Sequence, residues 1–462
     1  MSYRVILRAS ALALTLACAS VGAAQAQSIS QALTAAYEHA PELQSALLNA
    51  KATAENIVTA KAGKLPTIGA SLGATQSFSS PSAATGGGAS PFANSQLQAG
   101  LSYNQTIFDN FQTDAQIEAA RAGAEAAEYQ LRNAEQNVLL DVVQAYMAVL
   151  SGRELLALRQ DNVSFFEAQL KSAQDRLDVG EGTRIDVAQA QARLAQGQAA
   201  YRAAQGSLET SQATFQRLVG MRPQSLSASH NYGNLIPRSL DAAISEAEVG
   251  HPAILMAKAG IRAAQAGSDA AQAAGGPTAS MVGNLGGNWN QNNRGGGGTS
   301  SWSASLGFNV SIPIYSGGRI GAAVRKANLE QIKSEVDAMS AYDQIREAVI
   351  ASWAGIQSAD AQIQAAQAGV SSSNTVLDGV IQERDLGTRT TLDVLNAQAD
   401  LTSARESLIN ASSNKTIATF SLLSAMGRMS ARDLGLQVQI KTAVPYTQAV
   451  EDVWQDLRTI VE

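Results

Sequence analysis

The stretch Gly180–Val187 (GEGTRIDV) is repeated 207 residues later as Gly387–Val394 (GTRTTLDV). Nearer the N-terminus, Leu65–Thr67 (LPT) and Gly276–Thr278 (GPT) stand 211 residues apart, so the offset changes by four residues. One insertion or deletion in the Gly- and Ser-rich segment of each copy explains that change. The sequence therefore predicts an internal duplication. Because a period near 210 residues is too long for a solenoid repeat, each copy should form half of one architecture.

The duplication also predicts how the chain is divided. We expect a signal peptide, two structural repeats and a tail that has no repeat partner. The expected segments are 1–26 for the signal peptide; 27–236 for the first repeat, with a β-hairpin at about 67–108 and a long helix pair at about 112–219; 237–440 for the second repeat, with a hairpin at about 278–314 and a helix pair at about 319–426; and 441–462 for the tail.

The first 26 residues have the features of a secretory signal peptide. Arg4 and Arg8 precede the apolar run Ala11–Ala17, and Ala24-Gln25-Ala26 forms an A-x-A cleavage site. Cleavage there removes two arginines and changes the formal net charge from −6 to −8. An acidic mature chain without basic blocks is unsuited to nucleic acid.

Cys18 is the only cysteine of the chain and lies in this leader. Its loss would leave the mature chain without a disulfide or a thiolate site. The alternative is lipidation, since Leu16-Ala17-Cys18-Ala19 is similar to a lipoprotein processing site. Thr15 stands where that signal prefers Leu, and the A-x-A site follows, so plain cleavage is the favoured interpretation.

Long helices are predicted in both copies because proline, which ends helices, is absent from residues 92–222 and 314–444. Apolar residues recur every seven positions with one four-residue skip, the pattern of a coiled coil with a stutter. A helix over 112–178 would be about 100 Å long at ~1.5 Å per residue. The heptad positions are Ile117, Ala124, Leu131, Val138 and Ala145; Val149, Leu156, Val163, Leu170 and Leu177; Val187, Leu194, Tyr201, Leu208 and Phe215; and Val394, Leu401, Leu408, Lys415 and Leu422.

One such stripe would also fit the core of an ordinary helical bundle. Duplicated segments with Ala-rich seams favour an elongated coiled-coil assembly instead.

Four segments with alternating apolar and polar residues are predicted as strands: Thr67–Phe78, Leu97–Phe108, Thr278–Asn290 and Trp302–Ile312. In the second, one parity is shared by Leu97, Ala99, Leu101, Tyr103 and Ile107. Such alternation is typical of outer-membrane strands, although a soluble sheet with one wet face gives the same pattern. The export signal favours the membrane, and so do Tyr103, Trp289 and Trp302 near strand ends, where an aromatic belt would lie.

After the leader, no stretch approaches the ~20 apolar residues of a membrane-spanning helix, so a membrane form of this chain requires a barrel. Four strands cannot close one, because such barrels begin at about eight strands. Two chains would supply eight strands and three would supply twelve. The residues alone leave both possibilities open.

A duplicated strand pair that interrupts long coiled-coil helices behind a signal peptide resembles the TolC-type outer membrane efflux protein family. The sharpest local match is Leu386–Ala397 (LGTRTTLDVLNA), which is similar to the family's second periplasmic helix turn. Pro313–Arg319 (PIYSGGR) is similar to its passage from strand to helix, whereas Ile107–Phe111 in the first copy lacks the double glycine.

The resemblance implies an α+β membrane protein. Its fold would be a trimeric 12-stranded outer-membrane β-barrel, with four strands per chain, continued by a long α-helical coiled-coil periplasmic tunnel. It also implies a location in the outer membrane of a Gram-negative bacterium, in contact with lipid and reaching into the periplasm. The function would be an exit duct for type I protein secretion or multidrug efflux. The implied partners are a periplasmic adaptor (membrane fusion protein) and an inner-membrane ABC or proton-driven transporter.

The resemblance further implies a periplasmic gate at the two helix turns. Asp186 and Arg389 match the family's gate-bonding carboxylate and Arg, and Asp393 matches an acidic residue that lines its narrowest aperture. Asn396 stands where the family's best-known member has a second Asp, and Arg384 where it has a Tyr. Both aspartates could instead be ordinary helix N-terminal carboxylates that the helix dipole favours.

Two short stretches match the adaptor-docking tips of the family, namely Val179-Gly180-Glu181 and Leu386-Gly387-Thr388. Glycine at a tip also suits a tight turn whatever its partner.

An enzyme is not expected, because His39, His230 and His251 are scattered and no nucleophile, zinc or P-loop motif is present. No cofactor or metal site is predicted. The main alternative is a secreted coiled-coil structural protein or adhesin. The sequence does not identify the cargo.

Overall fold

A computed structural model of the chain describes residues 27–79, 92–227, 231–292 and 298–455. The predicted signal peptide with Cys18, the centres of the two hairpin loops, His230 and the end of the tail lie outside the described residues.

The two copies contain corresponding elements of nearly equal length. Helices of 11, 22 and 67 residues occur in both copies, and the return helix has 36 residues in the first copy and 35 in the second. The first copy contains α1 (Ile29–His39), α2 (Pro41–Ala62), β1 (Thr67–Ser79), β2 (Phe92–Phe108), α3 (Gln112–Asp178) and α4 (Arg184–Val219). The second contains α5 (Leu240–Gly250), α6 (Pro252–Ala273), β3 (Thr278–Asn292), β4 (Thr299–Ser311), α7 (Arg319–Asp385) and α8 (Thr391–Ala425). A 3₁₀ helix (Tyr232–Leu235) joins the copies, and α9 (Val444–Glu451) follows them.

The four predicted strands form one antiparallel sheet in the order β1-β2-β3-β4. Each hairpin comes from one copy, and β2 pairs with β3 to join the copies. The alternation expected for β2 breaks near its end, because a bulge between Thr106 and Phe108 lets Phe108 rather than Ile107 pair with Ala279. The last strand ends at Ser311, ahead of Pro313, which cannot donate a ladder hydrogen bond.

The compact units of the chain do not coincide with its sequence repeats. Among the described residues, unit 1 comprises those within 27–46, 131–252 and 342–441, and unit 2 those within 47–130, 253–341 and 442–455. Each unit draws segments from both copies, and in unit 2 the shared sheet accounts for this, since β2 and β3 belong to different copies.

The heptad positions form the helical cores as predicted. All of them are buried or half-buried except Lys415. Lys415 is the polar break in the pattern, and its Nζ lies 2.7 Å from Asp360 Oδ1. At this heptad position an exposed ion pair between Lys415 and Asp360 therefore takes the place of an apolar contact.

The passage from strand to helix has the same unusual backbone in both copies. Gly317 and Gly318 have φ values of 60° and 83°, and Asn110 and Phe111, 207 residues earlier, have 55° and 67°. The left-handed region costs a residue with a side chain roughly 1–2 kcal/mol. The fold thus imposes two consecutive left-handed residues here, and only the second copy meets the requirement with glycine.

Replacing Gly318 by Ala should therefore lower the free energy of unfolding by roughly 1–2 kcal/mol. The matched control is Gly123→Ala within α3, where a Cβ would meet no atom within 4 Å. That change should stabilise the protein by roughly 0.5–1 kcal/mol. Thermal unfolding in detergent, followed by circular dichroism, measures both. Equal effects of the two substitutions would contradict the assignment of strain.

The C-terminal helix α9 packs within unit 2. Val450 is fully buried against Ala54, Ile57 and Ala124. The Tyr446 hydroxyl donates a 2.6 Å hydrogen bond to Glu55 Oε1. The start of the tail, which has no repeat partner in the sequence, therefore completes the packing around the first copy's helices.

A proline begins the second helix of each copy, and a histidine stands at each break. His39 ends α1 ahead of Pro41, and His251 caps α5 ahead of Pro252. His251 is buried, and that burial lowers its pKa to about 4, against the opposing effect of a hydrogen bond with the Ser424 backbone. The neutral imidazole is thus the form that the fold accommodates.

Because this pKa is lowered on folding, its contribution to stability is complete above about pH 6.5 and is lost as the pH falls toward about 4. The loss is up to about 3 kcal/mol. His251→Gln should flatten the dependence of the thermal midpoint on pH in this range. The matched control is His39→Gln, at the exposed histidine of the other break. An unchanged pH profile in His251→Gln would show that other groups cause the loss.

Candidate functional site

The two helix turns that carry the predicted gate residues share one backbone geometry. Gly180 and Gly387 have φ values of 83° and 81°. The Glu181 amide donates to the Arg176 carbonyl at 2.8 Å, and the Thr388 amide donates to the Glu383 carbonyl at 2.9 Å. This pattern is the Schellman C-cap, in which a left-handed glycine ends the helix.

Both predicted gate aspartates serve as capping residues of the return helices. The Asp186 carboxylate accepts hydrogen bonds from the Thr183 amide at 3.1 Å and hydroxyl at 2.6 Å. The Asp393 carboxylate accepts from the Thr390 amide at 2.9 Å and hydroxyl at 2.8 Å. In each case the threonine hydroxyl accepts from the aspartate amide, which completes a capping box.

These hydrogen bonds favour the ionised form of Asp393. The Thr390 amide, then the Thr390 hydroxyl and the nearby Arg389 charge, lower its pKa below the usual range. Asp393 thus carries a negative charge at neutral pH, as the predicted aperture residue requires. The helix-terminal role and the aperture role are compatible, because capping occupies one carboxylate oxygen.

Arg389 and Asp186 line one small cavity, of about 180 Å³, together with Arg176 and Glu181. The Arg389 Nε nevertheless donates to Glu383 Oε2 at 2.8 Å, within its own turn, and this ion pair raises the pKa of Arg389. Guanidinium has five donors, so one bond to Glu383 leaves others for a second carboxylate. The structure therefore brings Arg389 and Asp186, the predicted gate-bonding pair that we call the latch, to one cavity without joining them directly.

The first copy has Gly182 where the second has Arg389, and Arg176 where the second has Glu383. The two turns share one backbone conformation but differ in the charge of the side chains at these two positions.

Arg384 is buried and connects α7 to α3. One Nη donates to Gln169 Oε1 at 2.6 Å, and the Nε and other Nη donate to Asp385 Oδ1 at 3.0 and 2.8 Å. Asn396 accepts from Arg193 Nη2 at 2.8 Å, which links α8 to α4. Gln169 and Arg193 had no signal in the sequence, because their partners are more than 200 positions away.

A buried layer of two amide side chains and one hydroxyl lies further along the helices from Arg384 and Asn396. Gln398 Nε2 donates to Asn162 Oδ1 at 3.1 Å, and the Thr402 hydroxyl lies 3.2 Å from the same oxygen. Arg159 and Glu406 form an ion pair at 2.5 Å beyond it. Polar contacts thus continue from the turns into the helices of unit 1.

Apolar side chains are exposed at both tips. Val179 and Leu386, which correspond in the duplication, are 72% and 81% exposed. Such residues at the end of a helix pair are available for contact with another protein.

The sheet has one apolar and one polar face. The cross-strand register places large apolar side chains on one side, and most of them are exposed. They include Ile68, Leu72, Leu101, Leu285, Leu306, Phe308 and Val310. An apolar surface of this kind needs a non-aqueous neighbour.

The three predicted belt aromatics lie on that apolar face. Trp289 and Trp302 are near the hairpin loops, with the Trp289 ring over Gly287, the residue opposite Trp302. Tyr103 lies toward the helices, opposite Gly283, and its hydroxyl bonds to Gln105. Six residues separate the rows of Tyr103 and Trp289, which is about 20 Å at ~3.4 Å per residue.

Within the described part of the chain, no three His, Cys, Asp or Glu side chains are grouped to hold a metal ion. None of the described helices combines the length and apolarity that a membrane crossing requires.

Comparison with known proteins returns one family twice along the chain. A sequence model of the outer membrane efflux protein family matches residues 32–221 and again 243–428. The two matches begin 211 residues apart and end 207 apart, which are the offsets of the internal duplication.

Individual relatives cover nearly the whole chain. The chain is 37% identical to the outer membrane efflux protein BepC of Brucella suis biovar 1 over 447 residues, 95% of this chain and 93% of BepC. It is 26% identical to the outer membrane protein TolC of Escherichia coli K12 over 422 residues, 89% of this chain and 84% of TolC.

Among solved structures, the CmeC outer membrane channel of Campylobacter jejuni matches with a TM-score of 0.73 and 17% identity, over 92% of this chain and 89% of CmeC. This likeness confirms the predicted fold class, in which barrel strands are continued by long paired helices.

Proposed function

The chain belongs to the outer membrane efflux protein family, and we propose how it works as an exit duct. The duct is gated at the two helix turns, held in the membrane by the apolar face of the sheet, and engaged by an adaptor at the helix tips.

Family membership confirms the resemblance noted in the sequence, the location in the outer membrane, and the role as a channel for efflux or secretion. These relatives favour the channel over a coiled-coil structural protein or adhesin, and the family is one of channels rather than enzymes.

The proposed assembly is a homotrimer. In the part of the chain that the structure describes, β1 and β4 are the edge strands of the sheet and each pairs with one neighbouring strand, so one side of each has backbone groups outside the ladder. In lipid these groups must find partners, which a closed barrel provides. Three copies would pair each β4 with the next β1 and give twelve strands, enough for an open bore.

The aromatic belts would mark the two membrane interfaces. The spacing of about 20 Å between the rows of Tyr103 and Trp289 approaches the ~25 Å height of the apolar band in such barrels. Trp302 would lie with Trp289 at the interface near the hairpin loops.

The observation that carries this proposal is the cavity shared by the two helix turns. Arg389 and Asp186 share a cavity with equal numbers of cationic and anionic side chains, and both return helices begin at it. In the proposed closed state, Arg389 bridges from Glu383 to Asp186 of its own or a neighbouring chain. Asp393 adds an acidic ring, and Arg384 and Asn396 anchor the second turn to α3 and α4.

Removing the latch should open the duct. Exposed ion pairs are individually weak, but three symmetry-related copies act together, so losing all of them should raise the open-to-closed ratio by up to roughly a hundredfold. The double variant Arg389→Ala/Asp186→Ala should therefore show higher mean conductance in planar bilayers than the unmodified trimer.

The matched variant Glu383→Gln tests which carboxylate matters. It removes only the partner within the turn and leaves Arg389 available to Asp186, so conductance should stay equal or fall. If Glu383→Gln opens the channel and the double variant does not, the latch is misassigned.

The helix tips are proposed to bind a periplasmic adaptor, which connects the duct to an inner-membrane ABC or proton-driven transporter. The exposed Val179 and Leu386, each beside a glycine turn, carry this assignment. Apolar anchors at rigid turns suit docking without large rearrangement.

A photo-activated crosslinker attached to a cysteine at either tip, through Val179→Cys or Leu386→Cys, should capture the adaptor in cells. The control is Val249→Cys, an equally exposed apolar site on α5. Mass spectrometry identifies the product. Capture of the same protein from all three positions would argue against specific tip docking.

A further inference from the structure

The polar face of the sheet, opposite the apolar face, carries no charged side chain. Over residues 67–77, 94–106, 278–290 and 299–311, its positions follow from the strand register and are filled by Asn, Gln, Ser, Thr and Gly, with Val282 as an apolar exception. Indeed none of the four strands contains an Asp, Glu, Lys, Arg or His at any position.

The chemistry of this face is graded across the sheet. Amides concentrate on the two central strands, at Asn94, Gln96, Gln98 and Asn104 of β2 and at Asn284, Asn288 and Asn290 of β3. Small hydroxyl residues and glycine predominate on the edge strands, including Ser71, Thr75, Ser303 and Ser305.

Several of these groups hydrogen-bond within the sheet itself. Gln96 Nε2 donates to Asn288 Oδ1 at 3.1 Å across the two copies. The Ser102 hydroxyl donates to the Gly69 carbonyl at 3.3 Å, and the Thr67 hydroxyl to the Asn104 carbonyl at 3.2 Å. The face therefore presents fixed dipoles rather than mobile charges.

Among the described residues, the charges nearest the sheet lie where the strands meet the helices. Lys64, which precedes β1, forms an ion pair with Asp114 of α3. Asp109, which follows β2, accepts from the Thr113 amide at 2.8 Å. The sequence between Lys64 and Asp109 contains no charged residue, and between Asp269 and Arg319 only Arg294 is charged.

We infer that the strand-built part of the duct is an electrically neutral, amide- and hydroxyl-lined wall that discriminates cargo by size and not by charge. This inference rests on the proposed function, which turns the polar face toward the water-filled bore. A pore lined by one sign of charge concentrates the opposite charge by roughly ten- to thousandfold, and charged rings are a usual source of selectivity. Any charge selectivity of this duct is accordingly set outside the strands.

The cysteine content of the chain permits a local test. Cys18 is the only cysteine and lies in the predicted leader, so a single cysteine can be placed on either face of β4. Ser303→Cys reports on the polar face and Ala304→Cys, the next residue, on the apolar face. The probes are a trimethylammonium-ethyl and a sulfonatoethyl methanethiosulfonate, applied at low salt to trimers in lipid vesicles.

The expected result is modification of Ser303→Cys by both probes. The ratio of their rate constants should lie within about threefold of the ratio for a free thiol in the same buffer, because a neutral wall enriches neither ion. Adding Asn288→Asp should raise the cation preference about tenfold or more, and the neutral Asn288→Gln should not. Ala304→Cys should remain unmodified because lipid covers it.

A tenfold preference for either probe at Ser303→Cys, with Ala304→Cys protected, would overturn the neutral wall and leave the proposed duct intact. Equal reaction at both cysteines, or none at Ser303→Cys, would contradict the placement of the sheet and overturn both.

Discussion

The constraint on which the structure depends is the need of every strand to pair its backbone N–H and C=O groups. The central pairing of β2 with β3 meets that need inside the chain and joins the two copies. The outer strands β1 and β4 have one neighbour each. A sheet with an exposed apolar face and two open edges is stable only where lipid covers the face and further strands cover the edges. The outer-membrane location of the family suits the apolar face, and the proposed homotrimer would pair the open edges of neighbouring copies.

Duplication gives the chain nearly equivalent turns, and small differences between the copies give them different roles. The strand-to-helix passage keeps two left-handed residues in both copies although only one copy has glycine there, so backbone geometry is more tightly constrained than side-chain identity. At the helix turns the backbone is again the same, but Arg176 and Gly182 of the first copy correspond to Glu383 and Arg389 of the second. In the proposed closed state, this difference in charge would let Arg389 of the second turn bind Asp186 beside the first.

The distribution of charge also separates the parts of the duct. The strands carry none, while the cavity at the turns holds Arg176, Glu181, Asp186 and Arg389. Charged groups at a turn can exchange partners at little cost, because exposed ion pairs are weak. Backbone ladders and buried apolar seams cannot exchange partners in this way. The proposed gating and electrostatic selection accordingly fall on the helix turns, and the inferred role of the sheet is that of a neutral wall.

Local sequence patterns predict the helices and strands and which face of each is apolar. Heptads, strand alternation, proline-free windows and the two glycine turns depend on residues close together in the chain, so local periodicity predicts α3, α4, α7, α8 and the four strands. The bulge that makes Phe108 rather than Ile107 pair with Ala279 is not predicted by these patterns, because it depends on the partner strand. Which polar and charged side chains contact one another is known only from the folded chain. Arg389 bonds to Glu383, Arg384 to Gln169 and Asn396 to Arg193. Two of these three contacts join residues more than 200 positions apart. All three depend on the directions of side chains at the turns and on how one helix pair packs against the other. No local sequence pattern encodes these directions or this packing.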